Sequence, residues 1–150
     1  MNESEKNSGK NFQGMANNYP LEPSKAYCRM FSKDKKHQIV WNIAALLKGL
    51  ENENFAIEHK NVLRLSEQDG GICANPDYAM ETDLTKPCIL IKLTDNVEIF
   101  IDGNHRLFKA RKLNIENIPC YVLPAELHKK YILDFDSNIY EKIASEYSTS

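Results

Sequence analysis

Val97-Glu98-Ile99-Phe100-Ile101-Asp102-Gly103-Asn104-His105-Arg106-Leu107-Phe108-Lys109-Ala110-Arg111-Lys112-Leu113 decides the fold, because an alternating apolar strand runs through a glycine turn straight into a helical pattern. On the strand, Val97, Ile99 and Ile101 share one face and Glu98, Phe100 and Asp102 the other. Beyond Gly103, Leu107, Ala110 and Leu113 recur at spacing of three, with Phe108 beside them and Lys109, Arg111 and Lys112 on the wet side. A helix is therefore predicted to begin within two residues of Asn104 and to pack one face on a sheet. A helix start carries unpaired N–H groups and the positive end of the peptide dipoles, so the turn delivers Asn104, His105 and Arg106 to a place that attracts anions.

Working outward, Cys88-Ile89-Leu90-Ile91-Lys92-Leu93 reads as a buried strand joined to the first by a turn at Thr94-Asp95-Asn96, which makes a hairpin. Ile118-Pro119-Cys120-Tyr121-Val122-Leu123 reads as a further strand whose proline places its start at a sheet edge or at the first positions of the strand. Residues 124–133 and 137–147 predict two terminal helices, the first with Pro124 near its start and the second capped by Ser137. Upstream, a helix is predicted from about Ser32, a candidate N-cap, to an end marked by Gly49. Ile39, Ile43, Leu46, Leu47 and Leu50 supply its apolar stripe, widened by Val40 and Trp41.

Residues 19–30, with two prolines, read as an extended leading segment with room for a short strand. Residues 51–54 are turn-like, and 55–57 and 62–65 each fit a short strand. Residues 66–86 hold Gly70, Gly71, Pro76 and five acids without a lasting period, so they form either an insertion with a short helix or a cover for the site. Asp69, Asp77, Glu81 and Asp83 fit no calcium loop and read as solvated. The fold class expected is α/β (α+β), a small mixed sheet with flanking helices. Residues 1–18 are expected to be a disordered or loosely docked tail, and 19–150 a single domain with an insertion around 51–86.

The 150 residues are 42 % hydrophobic, enough for one core, and no apolar run approaches bilayer-spanning length, so no membrane partner is expected. Residues 1–18 lack the apolar stretch of a secretory signal. A formal charge of −2 gives no global attraction to a polyanion. Cys28, Cys73, Cys88 and Cys120 form no close pair of zinc-ligand spacing, and Cys88 and Cys120 sit in apolar runs as small buried hydrophobes. No disulfide framework is indicated, in keeping with a reducing cytoplasm.

The polar groups converge at one corner. Gly103 lets the backbone approach an anion, Arg106 can clamp phosphate oxygens, and His105 can donate to an oxygen or shuttle a proton. Asp102 could hold a divalent cation or act as a base, and Asn104 could bond a phosphate or sugar. Structural alternatives stand beside these roles: Asp-Gly is also a hairpin-turn signal, Asp102 could cap the helix, and Arg106 could pair with Glu98 or Asp102. Taken alone, the pattern points to an anion site without naming a reaction.

Residues 87–123, as Pro-Cys-Ile-Leu-Ile, a hairpin, Ile-Phe-Ile-Asp-Gly-Asn-His-Arg-Leu-Phe-Lys-Ala-Arg-Lys-Leu and Asn-Ile-Pro-Cys-Tyr-Val, resemble the core of the ParB/sulfiredoxin superfamily. Residues 21–50 are similar to that family's first segment, a strand and a loop ending in arginine before a helix closed by glycine, with Tyr27-Cys28-Arg29 and Gly49 in those places. Residues 51–86 are unmatched. The resemblance implies that Gly103, Asn104, His105 and Arg106, with Arg29, bind nucleotide phosphates, that Asp102 and His105 are catalytic, and that Mg2+ and a nucleoside di- or triphosphate are the cofactors.

Members of the superfamily include CTP-binding partition proteins, ATP-using sulfinic-acid reductases, a free-serine kinase and nucleases. Asn104 stands where a sulfiredoxin has its catalytic cysteine, which argues against sulfinic-acid reduction, and residues 124–150 are too few for a partition protein's helix-turn-helix domain. The expectation is a Mg2+-dependent phosphotransferase or nucleotide hydrolase acting on an unidentified small-molecule or protein acceptor. The alternatives are a non-catalytic nucleotide- or DNA-binding regulatory module and a ParB-like nuclease, with DNA disfavoured by the acidic balance.

Overall fold

A computed structural model describes residues 27–69 and 75–148. The readings made on residues 1–26, on Gly70, Gly71 and Cys73, and on the Asp69 side chain lie outside the described residues. The fold is α+β, and the chain falls into two compact units, one formed by the segments up to Asn54 and from Pro124, the other by Phe55–Leu123. No described helix is long and apolar enough to cross a membrane.

In the first unit, β1 (Tyr27–Phe31) pairs antiparallel with β2 (Gln38–Asn42), Met30 opposite Ile39 and Cys28 opposite Trp41. The helix expected from Ser32 is thus a hairpin up to Asn42. Ser32 caps nothing helical: its Oγ donates to Asp34 Oδ1 at 2.6 Å and accepts from His37 N–H at 3.1 Å, closing a loop in which Lys35 turns left-handed at φ 65°. Ile39 and Trp41 are buried while Gln38 is exposed, a period of two in a β-branched and aromatic run that a helical stripe can absorb by mistake.

Helix α1 (Ile43–Leu50) starts only at Asn42, whose Oδ1 accepts the Ala45 N–H at 3.0 Å. Gly49 lies inside the last turn rather than beyond it. Its lack of a side chain makes room for Tyr131, because a Cβ there would overlap the tyrosine hydroxyl.

The first terminal helix is shorter than expected: α5 (Ala125–His128) tightens into a 3-10 turn at Lys129–Tyr131. Ile132 then bridges to Trp41, and Leu133 N–H donates to Val40 O at 2.8 Å, so pairing with β2 ends the helix. The last helix, α6 (Ser137–Ser148), is capped by Asp136, not Ser137, since Asp136 Oδ1 accepts from Asn138 N–H at 2.8 Å and Ile139 N–H at 3.1 Å. It is pinned to the hairpin by Lys33 N–H on Glu146 at 2.8 Å.

The second unit is a four-stranded mixed sheet in the order β3-β6-β4-β5, built from β3 (Glu58–Asn61), β4 (Cys88–Thr94), β5 (Val97–Asp102) and β6 (Asn117–Leu123). Its helices are α2 (Val62–Asp69), α3 (Pro76–Ala79) and α4 (Asn104–Lys112). The strands expected at 55–57 and 62–65 are replaced by β3 between them and by α2, whose Val62 and Leu65 enter the core at helical spacing. Residues 51–86 therefore supply a sheet strand and a core helix.

β4 and β5 form the expected hairpin, β6 runs parallel to β4, and β3 covers the other side of β6. β6 is thus internal and not an edge. Pro119 is tolerated because β4 joins β6 only from Cys120 onward. Leu107 and Ala110 of α4, Val62 and Leu65 of α2, and Cys88, Leu90, Ile118 and Cys120 of the sheet form one buried cluster. Asn114, left-handed at φ 60°, ends α4 by letting Ile115 N–H reach Ala110 O at 2.9 Å, and Ile115 packs on the same cluster.

The outer edge of β5 is occupied by a side chain: Gln68 Nε2 donates to Glu98 O at 3.0 Å and its Oε1 accepts the Phe100 N–H at 2.9 Å.

Asn42→Ala removes a buried cap and leaves the Ala45 N–H unpaired. It should destabilise the protein by about 1–2 kcal/mol, read as a lowered urea midpoint at unchanged slope, whereas Asn42→Asp should retain most of that stability.

Candidate functional site

The corner is set by the end of β5. Phe100 pairs with Leu90 and Asp102 with Ile89, and the register shift between these pairs interrupts the strand's alternation just before the carboxylate. Strict alternation therefore does not place Asp102 on the Phe100 face. The Gly103 turn and the pairing with Arg106 locate it instead.

Gly103 has φ 118°, a left-handed conformation, and it is the N-cap of α4, with its carbonyl accepting the Leu107 N–H at 2.9 Å. A Cβ there would stand 2.5 Å from Cys88 Sγ and 2.8 Å from Cys88 Cβ. Glycine is demanded twice, by backbone angle and by contact. No side chain caps this helix start, so the amide groups of its first turn have no side-chain acceptor at the N-cap. That is the feature expected of an anion cradle.

Arg106 follows one turn after Asp102. Its Nη2 lies 3.6 Å from Asp102 Oδ2, with the arginine side chain 21 % and the aspartate side chain 27 % exposed. The distance is that of a charge contact and is too long for a hydrogen bond. Arg106 Nε is buried and has no hydrogen-bond partner among the described residues, so the guanidinium keeps unused donor capacity. Glu98, the other candidate partner, is taken by Lys60 at 2.9 Å. Burial raises the Asp102 carboxyl above the usual carboxylate range, and the Arg106 charge, the Gly103 N–H and His105 oppose that shift.

Asn104 opens α4 and is half-buried. The His105 ring meets the Tyr78 ring edge-on, centroids 4.9 Å apart at 90°. Tyr78 belongs to α3, whose start is capped by Asn75, and Lys109 Nζ donates to Thr82 O at 2.7 Å. The stretch after Asn75 thus carries a short helix and packs on α4 beside the candidate loop, while Asp77, Glu81 and Asp83 are exposed as expected.

The second unit brings together Asp102, Gly103, Asn104, His105 and Arg106. Arg29 belongs to the first unit, on β1, where it is exposed and its guanidinium carbon stands 5.8 Å from the Tyr27 ring centre.

Three residues at the corner escaped sequence reasoning: Cys88, Tyr78 and Lys109. Cys88 was accessible in principle, because counting back from a two-residue hairpin turn places it opposite Gly103. Tyr78 and Lys109 depend on how an aperiodic segment folds, for which no local pattern exists. Cys88 is also register-paired with Cys120 on β6. The hydrogen bond from Cys120 pushes the Cys88 thiol down against the effect of burial, helped by the Arg106 charge, and the same bond pushes Cys120 up.

The chain matches no family model, no curated protein and no solved structure.

Gly103→Ala should cost about 1–3 kcal/mol through backbone strain, with a further loss from overlap with Cys88. Adding Cys88→Ala should restore only the part owed to Sγ, because the contact with the Cβ at 2.8 Å remains, a coupling measurable in a double-mutant cycle. A second expectation concerns pH. With the Asp102 carboxyl raised above its ordinary 3.8, the folded state holds the proton more tightly than the unfolded chain, and stability falls as pH rises from 3.8 through the raised value. Asp102→Asn escapes that fall, so urea midpoints should move in favour of the variant, relative to wild type, as pH is raised across that window.

Proposed function

We propose that the corner of Asp102, Gly103, Asn104, His105 and Arg106 takes the phosphates of a nucleoside di- or triphosphate, and that the chain is a Mg2+-dependent phosphotransferase or nucleotide hydrolase of ParB/sulfiredoxin type. The observation that carries this proposal is an uncapped helix start held open by a left-handed glycine, with a guanidinium of unused donor capacity in its first turn. Backbone amides would receive the phosphate oxygens, Arg106 would add charge-assisted bonds, and His105 would donate from the adjacent position.

Bound Mg2+ would neutralise charge as the phosphoryl group transfers. Asp102 fits as one oxygen ligand. Among the described residues no group of three or more His, Cys, Asp or Glu side chains gathers around a point, and Mg2+ bound through one carboxylate, phosphate oxygens and water is a common arrangement. A carboxyl raised by burial also accepts a proton more readily, which suits Asp102 to the hydroxyl of a small-molecule or protein acceptor, or to water.

A second reading is a non-catalytic nucleotide-binding module. It is favoured by the 3.6 Å charge contact between Asp102 and Arg106, which draws the carboxylate at the loop toward the guanidinium. Turnover of labelled ATP, ADP, CTP and GTP across acceptors, beside a plasmid-nicking assay for the nuclease alternative, separates the readings.

Arg106→Ala should weaken nucleotide binding by about 1.5–3 kcal/mol, the range for hydrogen bonds to a charged group, and normal affinity in a folded variant would refute the site. Asp102→Asn should reduce turnover by about 10²–10⁴-fold while metal-free nucleotide affinity is largely kept. Full activity in that variant, or no wild-type turnover on any substrate tested, leaves the binding module.

A further inference from the structure

Cys88 and Cys120 face each other across two adjacent parallel strands at directly paired positions. They are 1 % and 0 % exposed, belong to one buried cluster and are both free thiols. Neighbouring strands lie about 4.8 Å apart, within the Cα separation that a disulfide spans, about 4.4–6.8 Å. Two buried small hydrophobes would need no such register. Each sulfur lies near a backbone carbonyl, Cys88 Sγ 3.8 Å from Gly103 O and Cys120 Sγ 3.7 Å from Ile118 O.

We propose that Cys88 and Cys120 are a reversible oxidation site, a dithiol that closes to a disulfide beneath the Gly103 turn when a small hydroperoxide reaches it. In the first step the Cys88 thiolate attacks one peroxide oxygen and the O–O bond breaks. Cys88 becomes a sulfenic acid, and the departing hydroxide takes a proton to leave as water. In the second step Cys120 sulfur attacks Cys88 sulfur, the S–O bond breaks, and the hydroxyl leaves as water with the Cys120 proton. Two thiols lose two electrons and one hydrogen peroxide becomes two waters. The Arg106 side chain beside Cys88 favours the thiolate needed for the first step.

The test uses the full chain with Cys28→Ser and Cys73→Ser, so that only the pair remains. After treatment with hydrogen peroxide under native conditions, alkylation in denaturant and mass spectrometry, the expected result is loss of two hydrogens per chain, protection of both thiols and a linked peptide joining residues 88 and 120. Dithiothreitol should reverse all three. With Cys120→Ser added, the linked peptide should vanish and Cys88 should carry a sulfenic acid trapped by dimedone. The proposal fails if both thiols remain alkylatable in the folded protein while the urea-unfolded chain oxidises, if Cys88 gains oxygens without the link, or if the link joins two chains.

Discussion

The close approach of Gly103 to Cys88 is the constraint on which the second unit depends. A strand must end, a helix must begin, and the connection must pass over the first residue of the neighbouring strand with no room for a Cβ. Once the backbone takes that left-handed step, Leu107 and Ala110 fall onto Leu90 and Cys120, and the parallel pairing of β6 with β4 closes the layer beneath them. Asp102 and Arg106, the last strand residue and the third helical one, are brought together by the same step. Core and candidate site are therefore products of one turn, and a change at either is felt by both.

The electrostatics of that corner are a competition. Arg106 already has a carboxylate near it, at a distance that leaves the contact weak, and an arriving phosphate would offer more negative charge to the same guanidinium. Asp102 resists this less than a solvated aspartate would, since burial makes its proton easier to keep. A neutral Asp102 leaves Arg106 available to an anion, and an ionised one holds it back.

The hairpin from Cys88 was legible from its apolar run, its polar turn at Thr94-Asp95-Asn96 and the alternation of β5, and the helix from Asn104 from the glycine that precedes it and its apolar spacing. The order of strand end, glycine turn and helix start over Asp102 to Arg106 was legible from the same pattern, whereas the face of Asp102 was not, because a register shift precedes it. Ile39, Val40 and Trp41 misled because a β-branched and aromatic run of three fits a helical stripe as well as a strand, and only its pairing with Tyr27–Phe31 decides between them. Ser137 lost its cap to Asp136 by one residue, a margin that pattern alone does not resolve. Pro119 pointed to a sheet edge or to the first positions of the strand, and the second holds: it is the third residue of β6 and precedes the pairing with β4, which starts at Cys120. Tyr78, Lys109 and the Cys88–Cys120 pairing come from tertiary structure and leave no mark in spacing.

Gln68 answers a different problem. A sheet ending in β5 offers a row of backbone groups that any extended peptide could pair with. Its amide, with one donor on Glu98 O and one acceptor on Phe100 N–H, reproduces the bonding of a peptide unit and stands in for the strand that is missing. The sheet is thereby finished by a single side chain carried on a helix. Self-association through this edge is opposed by two hydrogen bonds, and the protection lasts only as long as α2 stays folded against the strand.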